Sequence, residues 1–174
     1  MGTDLVPRRP GDGSEHAYPP EADQGLAEGA RGPATRLTTK LLPGLHVGGS
    51  WDPSPPDKGW DYVLTVCTPD EAYGSPPARK HASLWMLDAP LVDVPVVEAL
   101  RDVTVDVVRS GAKTLVRCHM GLNRSALVAV LAAVEPTGDA PAKLVSQLRR
   151  RRSADVLYNE TFERYALGCY SATS

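Results

Sequence analysis

The hydrophobic residues of this chain fall into short blocks whose spacing alternates between unbroken runs and helical periodicity, and most of them lie after position 36. Leu37–Leu42 and Leu45–Val47, parted by Pro43-Gly44, predict two short strands around a turn. Tyr62–Val66 (YVLTV) and Ala82–Leu87 (ASLWML) are apolar runs of strand length, the pattern of strands buried on both faces. Gly48, Gly49, Pro53, Pro55 and Pro56 mark a loop between Val47 and Tyr62, and 68–80 is turn-rich. Asp93 precedes Pro95 and then Val96, Val97, Leu100, Val103, Val107 and Val108, which predicts a capped helix with one apolar face, stopped by Gly111. Thr114–Val116 predicts a buried strand, and Ser125–Val134, almost wholly Ala, Leu and Val, a helix buried on most sides. Pro136, Gly138 and Pro141 predict a turn, and Asp139 a cap for a helix to Arg152 with Leu144, Val145 and Leu148 inward. A last helix is expected over Asn159–Tyr170, capped by Asn159 and anchored by Phe162, Tyr165 and Ala166. Strands interleaved with helices predict an α/β fold: a central, largely parallel sheet of about four to five strands flanked by helices, with any site at the carboxyl ends of the strands.

Residues 1–36 change this picture at one end. They carry six acidic residues, four arginines, five prolines and six glycines, and their larger apolar residues are Met1, Leu5, Val6, Tyr18 and Leu26. Too little apolar surface is present to offset the entropy of ordering, so this stretch is expected to be a disordered leader, and 37–174 the folded domain. The formal net charge of -2 gives no basic field for nucleic acid. Three widely spaced cysteines, Cys67, Cys118 and Cys169, suit a reducing cytoplasm better than a disulfide framework. There is no apolar run of membrane-spanning length and no apolar signal core, so a cytoplasmic location is expected, with no membrane partner.

The chemistry lies between the strand at 114–116 and the helix from 125. A strand, a tight loop and a helix N-terminus together aim successive backbone N–H groups at one point, which suits an anion. Cys118 opens that loop, where the helix dipole and nearby cations favour the thiolate, the nucleophilic form. Arg124, six residues on, can present a planar fork to two oxygens of a phosphate. Gly121 permits the positive φ that a ring this small demands, and Ser125 can hydrogen-bond the sulfur and ease its departure. His16, His46, His81 and His119 are scattered, with no ligand spacing, so neither a metal nor a cofactor is expected.

Cys118-x-x-Gly121-x-x-Arg124-Ser125 after a strand resembles the signature loop of the cysteine-based protein phosphatases, above all the small dual-specificity branch of short bacterial type. The resemblance spans roughly Leu41–Tyr165. It implies a phosphate-binding loop of His119, Met120, Gly121, Leu122, Asn123 and Arg124 and a phosphomonoester substrate, such as a phosphorylated protein. In the implied reaction the Cys118 thiolate attacks phosphorus to give a cysteinyl-phosphate, which water then hydrolyses.

The departing oxygen also needs a proton. Asp88, thirty residues before Cys118 at the end of a predicted strand, is the candidate general acid. The stretch Asp88-Ala89-Pro90-Leu91-Val92-Asp93 is similar to the family's acid loop, with Asp93 as the rival acid and N-capping as its other explanation. His119 either fills space beside the nucleophile or touches substrate. Relatives usually carry His just before the nucleophile, where this chain has Arg117, which is expected to reach solvent or an acidic partner. Arg149–Arg152 either add positive potential near the substrate or form a solvated helix end. Cys67 is either a core residue or a counterpart of the backdoor cysteine of some relatives, and Asn159-x-x-Phe162 resembles the family's C-terminal helix. Two other functions fit a Cys loop: a phosphate-binding module without turnover, and a rhodanese-like sulfurtransferase.

Overall fold

The computed structural model describes residues 38–50, 59–72 and 78–168. The leader expected over 1–36, the prolines at 53–56, Cys169 and Tyr170 lie outside the described residues.

Among the described residues five strands form one sheet in the order β1-β2-β5-β3-β4, parallel except for the β1/β2 hairpin. This is the expected α/β architecture. β1 (Thr39–Leu42) and β2 (Leu45–Gly49) turn through Gly44 at φ 84°, and β3 (Trp60–Thr65) and β4 (Ala78–Ser83) complete one side. β5 (Thr114–Cys118) lies at the centre with all five residues buried, which explains its apolar, β-branched start. β5 is in register with both neighbours, Gly49 opposite Cys118 and Thr65 opposite Arg117, so three strands end together at the cysteine.

Four α-helices among the described residues pack with the sheet: α1 (Val94–Arg109), α2 (Arg124–Thr137), α3 (Pro141–Arg151) and α4 (Glu160–Ala166). α2 touches α1, α3, α4 and β5, and Leu127, Val128, Ala129 and Val130 have no exposed surface. Each such leucine or valine contributes about 1.5–3 kcal/mol on removal from water, so α2 fixes the helix layer to the sheet.

Several boundaries differ from the expectation. Gly48 and Gly49 belong to β2 rather than to a loop, because pairing with Arg117 and Cys118 carries that strand onward. The fourth strand is Ala78–Ser83, not Ala82–Leu87. β4 is an edge strand placed by its ladder with β3, and edge positions tolerate Arg79 and Lys80. Past its end only Met86 of the apolar run is buried, while Leu84, Trp85 and Leu87 are exposed. The inward face of α1 is Val97, Leu100, Thr104 and Val105, and Val103 points outward. Thr104 closes its hydroxyl onto the Leu100 carbonyl at 2.7 Å, which lets a polar residue occupy the core face. α2 continues through Pro136 to Thr137 and ends at Gly138, φ 65°. Ala140, not Asp139, precedes α3, and Asp139 instead pairs with Lys143 at 2.7 Å.

Candidate active site

The loop from Cys118 to Arg124 owes its shape to donors outside it. The Ser50 hydroxyl donates to the Cys118 carbonyl (3.2 Å) and the Ser50 N–H to that of His119 (2.9 Å). Arg152 donates through Nη2 to Met120 O (2.9 Å) and through Nε to Gly121 O (2.6 Å), and the Leu157 N–H reaches Leu122 O (2.9 Å). Five successive carbonyls are thus drawn outward. In a trans peptide the following N–H points the opposite way, so the amides from His119 to Asn123 turn toward the other side of the loop. The Gly121 N–H shows the result, donating to Cys118 Sγ at 3.2 Å.

Cys118 and Ser125 are buried with their Sγ and Oγ 3.2 Å apart. Gly121 has φ 73°, and a Cβ there would stand 2.5 Å from the Gly48 carbonyl carbon. Asn123 occupies the N-cap position of α2 but makes no side-chain capping bond, since its amide is engaged elsewhere.

Arg124 is 3% exposed and forms a two-pronged pair with Glu71: Nη1 to Oε2 at 2.6 Å and Nη2 to Oε1 at 3.0 Å. Nη1 also donates to Met86 O at 3.3 Å. Its Nε is buried with no hydrogen-bond partner. Burial works against the charged guanidinium, but the Glu71 hydrogen bonds and the negative charges of Cys118, Glu71 and Asp88 outweigh it, so its pKa lies above the ordinary value. Hydrogen bonding from Arg124, with help from Thr68, holds the Glu71 carboxyl at about 2. Thr68 and Glu71 form a capping box on the 3-10 turn Pro69–Glu71, with Thr68 Oγ1 donating to Oε2 at 2.9 Å.

Asp88 stands exposed at the rim of a cleft of about 430 Å³ that Cys118, Arg124 and Glu71 also line. Its Oδ2 accepts from Asn123 Nδ2 and its Oδ1 from Asn159 Nδ2, both at 2.9 Å. Asp93, the rival acid, is spent on capping α1, accepting from the Val96 N–H at 3.3 Å. His119 lines the cleft with Nδ1 3.2 Å from Glu71 O, while Met120, Leu122 and Tyr158 supply apolar wall.

One expectation needs correction, and two readings left open are narrowed. Arg117 does not reach solvent: it is 4% exposed, and its Nε donates to Thr65 Oγ1 at 2.9 Å, on the strand beside it. Burial lowers its pKa, and the negative charge of a Cys67 thiolate opposes that shift. Arg149–Arg152 divide: Arg150 and Arg151 are exposed, as a solvated helix end has them, whereas Arg149 is half-buried and Arg152 is buried. Arg149 binds Val156 O and Glu163, Arg150 the Ser146 hydroxyl, Arg151 Lys40 O, and Arg152 the two loop carbonyls. Cys67 is buried in the hydrophobic core, 4.0 Å from Ser50 Oγ, and burial followed by the negative charge of Cys118 pushes its thiol pKa up.

Glu71, Arg152 and the second role of Asn159 escaped the sequence reading. Thr68-x-x-Glu71 carries a legible capping-box pattern, but nothing local ties Glu71 to Arg124. Among the described residues no helix is long and apolar enough to cross a membrane, and no group of three or more His, Cys, Asp or Glu could hold a metal ion.

No protein-family model and no curated protein matches this sequence. Solved structures do. A variant of human DUSP28 superposes with a TM-score of 0.61 at 17% identity, covering 76% of this chain and 94% of that one. The human tyrosine phosphatase-like serine/threonine/tyrosine-interacting protein gives 0.58 at 18%, covering 75% and 95%. OH1 from the Orf virus, a tyrosine phosphatase, gives 0.54 at 19%, covering 79% and 92%. At these identities the likeness is one of architecture, and the chain has the fold of the dual-specificity and tyrosine phosphatases.

Proposed function

We propose that this chain is a phosphomonoester hydrolase of the dual-specificity or tyrosine phosphatase type, working through a cysteinyl-phosphate. The observation that carries the reading is the buried, unpartnered Nε of Arg124, in a residue that lines one cleft with Cys118, whose sulfur already accepts from the Gly121 N–H. A buried charged donor without a partner costs free energy unless a ligand oxygen meets it, and a phosphate supplies that oxygen.

The Cys118 thiolate attacks phosphorus, forming S–P as the ester P–O bond breaks, and Asp88 delivers its proton to the departing oxygen. Arg124 and the loop amides hold the three equatorial oxygens, where charge accumulates. Water then attacks phosphorus and gives a proton to Asp88. The S–P pair returns to sulfur, where Ser125 steadies the leaving thiolate.

The surroundings favour a single phosphate on a protein side chain, phosphotyrosine first, with or without phosphoserine and phosphothreonine. The cleft sets two carboxylates, Glu71 and Asp88, against one guanidinium, a poor match for a polyanion such as nucleic acid. Among the described residues eight large hydrophobic side chains are exposed; Met120 and Tyr158 line the cleft, and Leu84, Trp85, Leu87 and Leu91 stand on the segment of chain that bears Asp88. A thiolate nucleophile calls for a reducing compartment, which fits the cytoplasm.

A phosphate-binding module without turnover is the second reading, favoured by Arg117 at a position where relatives carry His. Incubation with p-nitrophenyl phosphate separates the two. Hydrolysis that vanadate blocks and Cys118→Ser abolishes supports the enzyme, and binding of vanadate or phosphate without hydrolysis supports the module.

A further inference from the structure

Asp88 is exposed, yet it does not hang free. Asn123, from the Cys118 loop, donates to Oδ2, and Asn159, at the start of α4, donates to Oδ1, each at 2.9 Å. Asn159 Nδ2 also reaches the carbonyl of Ala89 at 2.9 Å. The orientation of both amides is fixed from the acceptor side. Asn123 Oδ1 takes the Asn159 N–H at 3.2 Å, and Asn159 Oδ1 takes the N–H groups of Thr161 (3.1 Å) and Phe162 (3.3 Å). Neither amide can rotate by half a turn without setting its NH2 group against backbone N–H donors. Three segments distant in sequence thereby meet at one carboxylate. Asn159 is explained as a helix cap and Asn123 as a loop residue, but neither role requires a donor aimed at Asp88.

We propose that Asn123 and Asn159 are positioning residues that latch the Asp88 carboxyl over the Cys118 ring and so set how well it protonates the leaving oxygen. The proposal rests on the reading of Asp88 as general acid. A carboxyl group has two lone-pair directions on each oxygen, and each amide occupies one. One site on each oxygen stays open to carry the proton out to the ester and to take one back from water. With both oxygens tethered, the carboxyl needs no search for its geometry when substrate arrives.

Asn159→Asp separates the latch from the cap. Aspartate caps a helix as well as asparagine does, so α4 keeps its acceptor, while the donor facing Asp88 becomes a second carboxylate oxygen. The readout is the ratio of kcat/KM for p-nitrophenyl phosphate to that for phenyl phosphate. The first leaving group departs with little protonation and the second needs it. General acid assistance is worth about 10²–10⁴-fold, so a misplaced acid is expected to raise the ratio about tenfold in Asn159→Asp, and by at least as much in Asp88→Asn. Asn123→Asp, which leaves α4 untouched, is expected to raise it likewise, and thermal melts confirm that each variant is folded. If both asparagine variants slow the two esters equally, or slow neither, while Asp88→Asn raises the ratio, the latch is wrong and the acid assignment stands. If Asp88→Asn leaves the ratio unchanged, both fall.

Discussion

Arg152 lies under the Cys118 loop and donates through Nε to the carbonyl oxygen of Gly121 at 2.6 Å, while its Nη2 holds the carbonyl of Met120. These two bonds fix consecutive peptide planes, and so the direction of the Gly121 and Leu122 N–H groups. A lysine keeps the charge but not the fork. Arg152→Lys is therefore expected to lower stability by about 1–3 kcal/mol, since a buried carbonyl loses its donor. It is also expected to cut kcat/KM on an aryl phosphate at least about tenfold through loss of loop preorganisation. Thermal melts and steady-state rates measure both. Wild-type turnover in this variant means that the loop holds its shape without the fork.

Gly121 is where that loop turns back on itself. Its φ of 73° is costly for any residue with a Cβ, and here a methyl group would collide with the Gly48 carbonyl. Gly121→Ala is expected to displace the peptide whose N–H faces the sulfur and to cost about a hundredfold in kcat/KM, with a melting temperature only a few degrees lower. A crystal structure of the variant with an unmoved loop and full activity contradicts this account.

The Glu71–Arg124 pair is expected to act as a rigid support rather than a switch. The Glu71 pKa is lowered to about 2, below its unfolded value. Its contribution to stability is present above the unfolded pKa near 4.5 and is lost only as pH falls toward about 2. Across the neutral range the pair does not titrate. Glu71→Gln keeps the volume and removes the second strong acceptor, so Arg124 loses one prong. The expected result is a loss of about 1 kcal/mol, kept small because the Glu71 side chain is one-third exposed, with a fall in kcat/KM of about tenfold. A variant more active than wild type indicates that Glu71 restrains Arg124 instead of aiming it.

How far this site was legible follows from how local each signal is. The stretch from Thr114 to Val134 declares itself because strand, loop and helix adjoin in sequence, and each part has its own composition. Asp93 and Asn159 declare themselves because capping acts over three residues. Glu71 lies 53 positions from Arg124 and Arg152 lies 31 from Gly121, so only the folded chain brings them together. Leu157 is a sharper case. It adopts φ 57°, unfavourable for a leucine, and its N–H carries the last outward bond of the loop, a pairing that no propensity foretells. The strand β4 was misplaced for the opposite reason. The apolar run Leu84–Leu87 is a strong local signal, but the ladder with β3 ends at Ser83, and part of that run remains as exposed surface.

Arg117 connects the loop to a histidine on the sheet edge, and this link is expected to make stability sensitive to acid. Arg117 Nε donates to Thr65 Oγ1, which lies 2.7 Å from His81 Nε2. Burial, and then the charge of Arg117, hold the His81 imidazole below its ordinary pKa. His46 is lowered likewise, by burial and by Lys113 and Lys40. The folded chain therefore resists protons that the unfolded chain accepts near pH 6.5. Stability is complete above that value and declines as pH falls from it through the folded-state pKa, the region in which the unfolded state binds more protons. The melting temperature of the wild type is expected to drop from pH 7 to pH 5 by more than that of His81→Gln. Arg117→Met removes the neighbouring charge while leaving Thr65 its contact with His81, so the His81 titration, followed by NMR of its ring protons, is expected to move up. A midpoint that stays in place, or moves down, shows that the buried guanidinium is not what depresses that histidine.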